Sequence, residues 1–309
     1  MEKTHPYRRY SDYMKELYGK RVQKITVDAG FTCPNRDGTK ASGGCIYCNN
    51  ESFAPGHKSI MTITEQILFH KKKLATRYNA KEYIVYFQAY SNTYSSLENL
   101  KKVYEEALSV PDVVGLSIGT RADCVDEAKL DYLEELSKKY DITIEYGLES
   151  MSNESLKRIN RGHTYEDFCW AVEQSHLRKI KTCAHLILGF PWEDKKLWME
   201  TAKELSRLQV TFLKLHQLHV VKGTRLAEEY LLRPFSLFTQ EEYSELVIEF
   251  LEHLSSDVII QRLVGEAHAN TLLAPNWNVR SSVFTEELEE RMLQRGAYQG
   301  RVFIHREIK

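Results

Sequence analysis

"FTCPNRDGTKASGGCIYCNN", from Phe31 to Asn50, holds half of the chain's six cysteines. Eleven residues separate Cys33 from Cys45, and two separate Cys45 from Cys48. A C-x-x-C pair lets two thiolates converge on one centre. The third must return across a loop, and Gly38, Gly43 and Gly44 make that return sterically possible. Three thiolates do not complete a four-ligand site. A four-iron cluster bound this way keeps one iron open to an outside ligand, and an open position marks a catalytic metal site rather than a structural one. Two other readings stand beside it: a structural zinc completed by His57, and a redox pair made of Cys45 and Cys48 alone.

Outward from this loop the chain alternates. "KITVDAGF" (Lys24–Phe31) reads as a strand before it, and a helix follows over Thr62–Tyr78. Further strands are expected at Glu82–Tyr90, Asp112–Thr120, Ile142–Ser150, Lys181–Phe190 and Val210–Val220, with helical periodicity between them. Near-continuous apolar strands separated by helices argue for a parallel sheet covered by helices. Six such units predict an α/β fold of the partial (β/α)6 barrel kind, with the cysteine loop at the C-terminal mouth where barrel enzymes keep their chemistry. After about Tyr230 the alternation weakens to a helix (Thr239–Leu254), one more strand ("DVIIQRLV"), a late helix ("TEELEERMLQRGAY") and a final extended segment. The expected organisation is a basic extension over 1–23, the barrel over 24–233, and a C-terminal α/β extension over 234–309 that closes one side.

Net charge is -1 over 309 residues, so no global field draws in nucleic acid or membrane. "MEKTHPYRRY" carries no apolar leader-like run, and no window reaches the ~18 apolar residues of a membrane span. The expectation is a cytoplasmic protein with no membrane partner, where clustered cysteines are metal-binding or catalytic rather than disulfide-bonded. Locally the first 24 residues hold seven basic residues (Lys3, Arg8, Arg9, Lys15, Lys20, Arg21, Lys24) against three acids (Glu2, Asp12, Glu16), with Tyr7, Tyr10, Tyr13 and Tyr18 interleaved. Cations alternating with stacking partners suit a looped RNA; an ordinary solvated end fits the charges as well.

The motifs, taken in order, resemble the radical S-adenosylmethionine (SAM) enzymes. The resemblance rests on three cysteines after the first strand with an aromatic, Tyr47, just before the last. It also rests on "IEYGLESMSNESLKRINRGHT" (Ile144–Thr164) and "AHLILGFPWE" (Ala184–Glu193), which are similar to the branch containing the catalytic subunit of Elongator. "YFQAYSNTY", "SIGTRADC", "KLHQLHVVKGT" and "RLVGEAHANTLLAPNW" are similar to the YhcC/YtqA-like subgroup. One departure is visible: Gln88, Ala89 and Tyr90 stand where the family carries a glycine pair after the second strand.

The resemblance implies a [4Fe-4S] cluster on Cys33, Cys45 and Cys48, and SAM on its open iron. Glu145 and Glu149, on one strand face, become candidates for the ribose and the SAM amino group. Arg161 and Arg121 become candidates for its carboxylate, and Gln88 and Gly189 for close approach to the cofactor. Lys214, His216 and Gln217 are the candidate catalytic residues; alternation puts Lys214 and His216 on one face of their strand and Gln217 and His219 on the other. An external electron donor such as flavodoxin or ferredoxin is implied. So is a tRNA substrate whose wobble 5-carboxymethylaminomethyluridine loses its carboxymethyl group; that reaction needs a cation for the carboxylate, and Lys214 or Arg262 could supply it. Two alternatives stay open: a radical SAM enzyme of a small molecule, and a zinc-stabilised, nonenzymatic RNA-binding protein. Cys169 and Cys183 read as core residues, and Cys124, at a strand end, as a possible hydrogen donor.

Overall fold

Seven of the apolar runs become strands of one sheet in the computed structural model. It describes residues 5–53 and 60–303, the side chains of Glu51 and Phe53 apart; Glu2, Lys3, His57 and the segment beyond Phe303 lie outside the described residues. The strands are β1 (Val22–Val27), β2 (Glu82–Phe87), β3 (Val113–Thr120), β4 (Asp141–Glu149), β5 (Lys181–Leu188), β6 (Phe212–Gln217) and β8 (Ile259–Arg262). They lie in the order β1-β2-β3-β4-β5-β6-β8, every neighbouring pair parallel. A small antiparallel pair, β7 (Val220–Val221) with β9 (Leu272–Ala274), lies apart. The strand in "DVIIQRLV" is therefore the seventh strand of the barrel sheet, contributed from beyond Pro234.

The sheet is curled. Six strand spacings of about 4.8 Å would hold β1 and β8 roughly 29 Å apart in a flat sheet. Instead Lys24 Nζ on β1 reaches Gln261 Oε1 on β8 at 3.0 Å. The two edge strands do not pair, so the result is a half-barrel with a seam.

Helices wrap the outside: α3 (Ile63–Tyr78), α4 (Leu97–Ser109), α5 (Glu127–Ser137), α7 (Tyr165–Leu177) and α8 (Lys195–Arg207), with the shorter α2 (Asn50–Phe53), α6 (Asn153–Arg158) and α9 (Arg225–Leu232) near the loops. Their starts are written locally. Thr62 and Glu65 satisfy each other's backbone reciprocally at the head of α3, and Thr164 and Asp167 do the same for α7. The late helices are α10 (Gln240–His253) and α11 (Ser281–Gln294). β1 starts two residues earlier than the alternation predicts and stops at Val27, because Gly30 turns the chain with a φ of 71° toward the cysteine loop.

The basic N-terminal segment takes a different place from the one an RNA platform needs. It forms α1 (Tyr10–Tyr18), which lies across the N-terminal ends of the strands, opposite the cysteine loop. Tyr10 and Tyr13 pack edge-on against Phe212 at the start of β6. The Tyr18 hydroxyl donates to Asp141 at the start of β4, 2.9 Å away. Arg8 donates to Asp257 O, Arg9 to Glu289, and Lys20 pairs with Glu82 at 2.6 Å, while Arg21 lies over the Tyr78 ring. The tyrosines and Arg9 thus help to seal the barrel floor, while Arg8, Lys15, Lys20 and Arg21 stay exposed around its rim. Among the described residues no helix is long and apolar enough to cross a membrane.

Candidate active site

Parallel strands bring every C-terminal end to one face, and a cavity of about 220 Å³ opens there. Its wall takes residues from the cysteine loop and from the ends of β2 to β6 and of β8.

The cysteine loop is folded by its own turns. Cys33 O accepts from Arg36 N at 2.8 Å, and Cys45 O accepts from Cys48 N at 3.0 Å, which turns the C-x-x-C pair onto one side. Gly43 and Gly44, with φ of 79° and 81°, let Gly44 N donate to Asn35 O at 2.8 Å, so Cys45 returns beside Cys33. Ile46 N donates to Ile159 O at 3.0 Å and ties the loop to the segment after α6. Asn35 is wholly buried; its amide donates to Asn160 O and Arg161 O and approaches Cys45 Sγ at 3.6 Å.

All three thiols line the cavity. Among the described residues they form no set of ligand atoms within 4.8 Å of one another. Thiolates on one tetrahedral zinc, each about 2.3 Å from the metal, stand only about 3.8 Å apart. The donor set therefore fits a polynuclear cluster with each thiolate on its own iron. Burial, with Cys45 beside it, pushes the Cys48 thiol up to about 11; a bound cation reverses that preference. The one compact ligand set among the described residues, Glu145, Cys183 and His185, is no metal site, because the carboxylate oxygens are already taken.

Glu145 is fully buried on β4. It accepts from Lys24 at 2.8 Å, from Ser117 at 2.5 Å, from His185 at 2.8 Å and from Lys214. Burial alone would raise its carboxyl, but the charges of Lys214 and Lys24 and the His185 hydrogen bond hold it well below the usual glutamate range. Lys214 sits under the cavity floor against Glu145 and over the Tyr86 ring, its ammonium lowered to about 8, chiefly by burial. Lys214 does not line the cavity. The pairing on the strand face is as alternation predicts, but the lysine's charge is spent inside the barrel.

Glu149 does line it. A register shift between Gly147 and Glu149 and a φ of 69° turn its carboxyl toward the mouth; left-handed backbone at a non-glycine residue costs about 1–3 kcal/mol and is held by its surroundings. Burial raises the Glu149 carboxyl against the pull of Arg161. Arg161 is itself buried and fully engaged: it donates to Gly147 O at 2.6 Å and His163 at 2.9 Å, reaches Cys45 Sγ at 3.7 Å, and stands 3.5 Å from Glu149. Arg121 forks onto Asp123 at 2.9 and 2.7 Å and donates to Arg161 O. Both arginines line the cavity, but as braces of the cysteine loop.

A Cβ on Gly147 would run into Arg161 Nη2 and stand 2.6 Å from Glu149 Oε1. Gly147→Ala is therefore expected to cost about 1–3 kcal/mol, read as a lowered unfolding midpoint. An unchanged midpoint would show that the two side chains yield freely.

After β2, Tyr90 takes the left-handed backbone (φ 65°) and Gln88 lines the cavity. Asn92 holds that turn by donating to Phe87 O at 3.1 Å and Gly119 O at 2.7 Å. Gly189 is absent from the cavity wall; its φ of 99° and the Phe238 ring 2.9 Å from a would-be Cβ explain the glycine by packing. His216 reaches the cavity, while Gln217 does not. Gln217 is buried behind it, accepting from Gly265 N at 2.9 Å and donating to His219 Nε2 at 2.8 Å. His219 lines the cavity, although alternation puts it on the face away from His216. The chain leaves β6 at Gln217, so the alternation that assigned the faces has ended before His219. Cys124 and Cys183 are buried off the cavity, their thiols pushed up to about 12 by burial.

A family model described as the radical SAM superfamily matches residues 35–205, and one described as the Radical_SAM C-terminal domain matches 210–294. Protein YtqA of Bacillus subtilis is 35% identical over 94% of this chain and 91% of its own length. A tRNA uridine(34) acetyltransferase of Methanocaldococcus jannaschii is 28% identical over 50% of this chain and 28% of that protein. Among solved structures, Methanocaldococcus infernus Elp3 lacking residues 1–46 superposes with a TM-score of 0.69 at 19% identity. That match covers 90% of this chain and 64% of that one, and shows the fold they share.

Proposed function

Because the chain belongs to the radical SAM superfamily, and so is an enzyme that uses a [4Fe-4S] cluster and SAM, we propose that it acts on the wobble uridine of a tRNA in the cytoplasm, converting 5-carboxymethylaminomethyluridine to 5-aminomethyluridine. The observation that carries the substrate is the likeness of half the chain to a tRNA uridine(34) acetyltransferase.

Cys33, Cys45 and Cys48 would hold the cluster, with Asn35 and Arg161 fixing Cys45. Loaded, the site supplies a 5′-deoxyadenosyl radical that abstracts a hydrogen atom. Glu149, rather than the saturated Glu145, is the carboxylate offered to the SAM amino group. The substrate's N–CH2 carbon loses one hydrogen atom and one electron, water adds to the imine, and amine and glyoxylate leave. His216 lines the cavity and is kept neutral by burial and by His219 and Arg262, so its ring can orient that water by a hydrogen bond, the protons leaving to solvent. A carrier of the flavodoxin or ferredoxin class supplies the electron for SAM cleavage and recovers the one the carbon gives up.

Nucleosides of tRNA from cells with and without the gene are the test. Without it, 5-carboxymethylaminomethyluridine is expected to accumulate and 5-aminomethyluridine to disappear. An unchanged profile sinks this substrate and favours a small molecule, a second reading supported by the place of the basic segment at the barrel floor, away from the mouth.

A further inference from the structure

Buried polar atoms without a partner are rare, and each asks for an explanation. His219 Nδ1 and Arg262 Nε are two such atoms, and both residues line the cavity. Asn50 and Ser91 hold two more, but on the cysteine side, where Ser91 N is tied to Thr32 O.

The His219 proton can be assigned from its neighbours. Gly265 N donates to Gln217 Oε1, so the Gln217 amide nitrogen is the atom facing His219 Nε2 at 2.8 Å. That ring nitrogen must accept, which leaves the hydrogen on Nδ1. Nδ1–H is then a buried donor with nothing to donate to.

Arg262, on β8 and at the head of the seam, is the other donor. Four arginines line the cavity: Arg36, Arg121, Arg161 and Arg262. Arg36 donates to Cys48 O, and Arg121 and Arg161 are engaged as described above. Arg262 has no hydrogen bond or ion pair among the described residues. Glu266, the acid on the same rim, is turned to Ser281 N at 2.9 Å. The charge of Arg262 acts on His219, which burial and that charge keep neutral. Arg262 is partly buried, with its Nε fully so. Its charge also acts on Glu149 and Glu266 without a direct contact. A guanidinium left without a hydrogen-bonded anion is costly unless a ligand supplies one, for which its fork geometry suits a carboxylate.

We propose that Arg262 and His219 form the seat of a carboxylate carried by the substrate, so that the cavity selects the carboxylated form over the product that lacks it. Lys214, the other cation that could have served, is held by Glu145. The substrate named here rests on the reading in the preceding subsection; the unpaired donors do not.

The test uses the reconstituted protein with SAM and two anticodon stem–loops, one with 5-carboxymethylaminomethyluridine and one with 5-aminomethyluridine. Losing a charge-assisted contact of this kind reduces affinity by about tenfold or more, so the protein is expected to prefer the carboxylated loop by at least that ratio. Arg262→Met should erase the preference, His219→Phe should reduce it, and the double variant should go no further than Arg262→Met, because both act on one group. Equal binding of the two loops by the unaltered protein overturns the seat. A tenfold loss of SAM affinity in Arg262→Met also overturns it, by assigning the arginine to the carboxylate of SAM itself. The ligand-free unfolding midpoint gives a second arm: removing an unpaired cation should raise the midpoint of Arg262→Met, and a fall shows a structural arginine. If neither loop binds, the wobble-uridine reading fails, and the midpoint alone decides the seat.

Discussion

Cys45→Ala protein, reconstituted with iron and sulfide in the absence of oxygen, is expected to stay colourless and to form no 5′-deoxyadenosine from SAM. The other two thiols cannot make up the loss, because the donor set has no spare member: Cys124 and Cys183 are buried away from the cavity. Cys45 is also the best supported of the three, with Asn35 Nδ2 at 3.6 Å and Arg161 Nη1 at 3.7 Å from its sulfur. Removing such an outer partner typically weakens a metal site by about 10- to 100-fold, so Asn35→Ala should bind iron weakly where Cys45→Ala binds none. Cys124→Ala should remain brown. Iron and sulfide assays decide; a Cys45→Ala protein with a full iron complement would place the cluster elsewhere.

Glu145→Gln is expected to destabilise the fold more than any change at the rim. One carboxylate compensates Lys24 and Lys214 inside the half-barrel, and breaking a buried pair from one side costs about 3–5 kcal/mol. The loss has a pH signature. The Glu145 carboxyl lies below its unfolded value, so between the two values the unfolded chain holds the proton and the folded chain does not. Stability from this group rises with pH through that window, is complete above the ordinary glutamate value of about 4.3, and is lost as pH falls. The gap in denaturant midpoint between the natural protein and Glu145→Gln should be full at pH 7 and narrow in acid. A gap that is small at pH 7, or constant down to pH 3, would mean that the cluster does not hold the barrel.

The three-cysteine loop and the six alternating units could be read from the chain because both are local. A C-x-x-C turn is closed by hydrogen bonds within four residues, and a strand buried on both faces is apolar from end to end. What escaped reading depends on residues far apart. Lys214 looked available until Glu145, 69 residues away, took its charge. Gly189 resembled a cofactor-approach glycine, but Phe238 is its reason. Gln217 is a brace and His219 the cavity-lining partner, because β6 ends at Gln217 and period-two alternation no longer applies beyond it. "DVIIQRLV" was legible as a strand but not as the barrel's seventh. That Arg8, Arg9, Lys20 and Arg21 brace the barrel floor could not be read, since their partners, among them Asp257 and Glu289, are found only after the chain has closed.

That closure also orders events in time. The first helix finds its acceptor in Glu289, 280 residues later, and Pro6 O meets Gln299 N at 2.8 Å. At about 5–20 residues per second of translation, the helix waits roughly 15–60 s for that partner. Until then Tyr10 and Tyr13 lack at least the β8 side of their berth, and the barrel lacks its floor. Helix α1 is made before every strand of the barrel and docks fully only after the last of them, so β1 to β6 are synthesised with that end of the sheet uncovered.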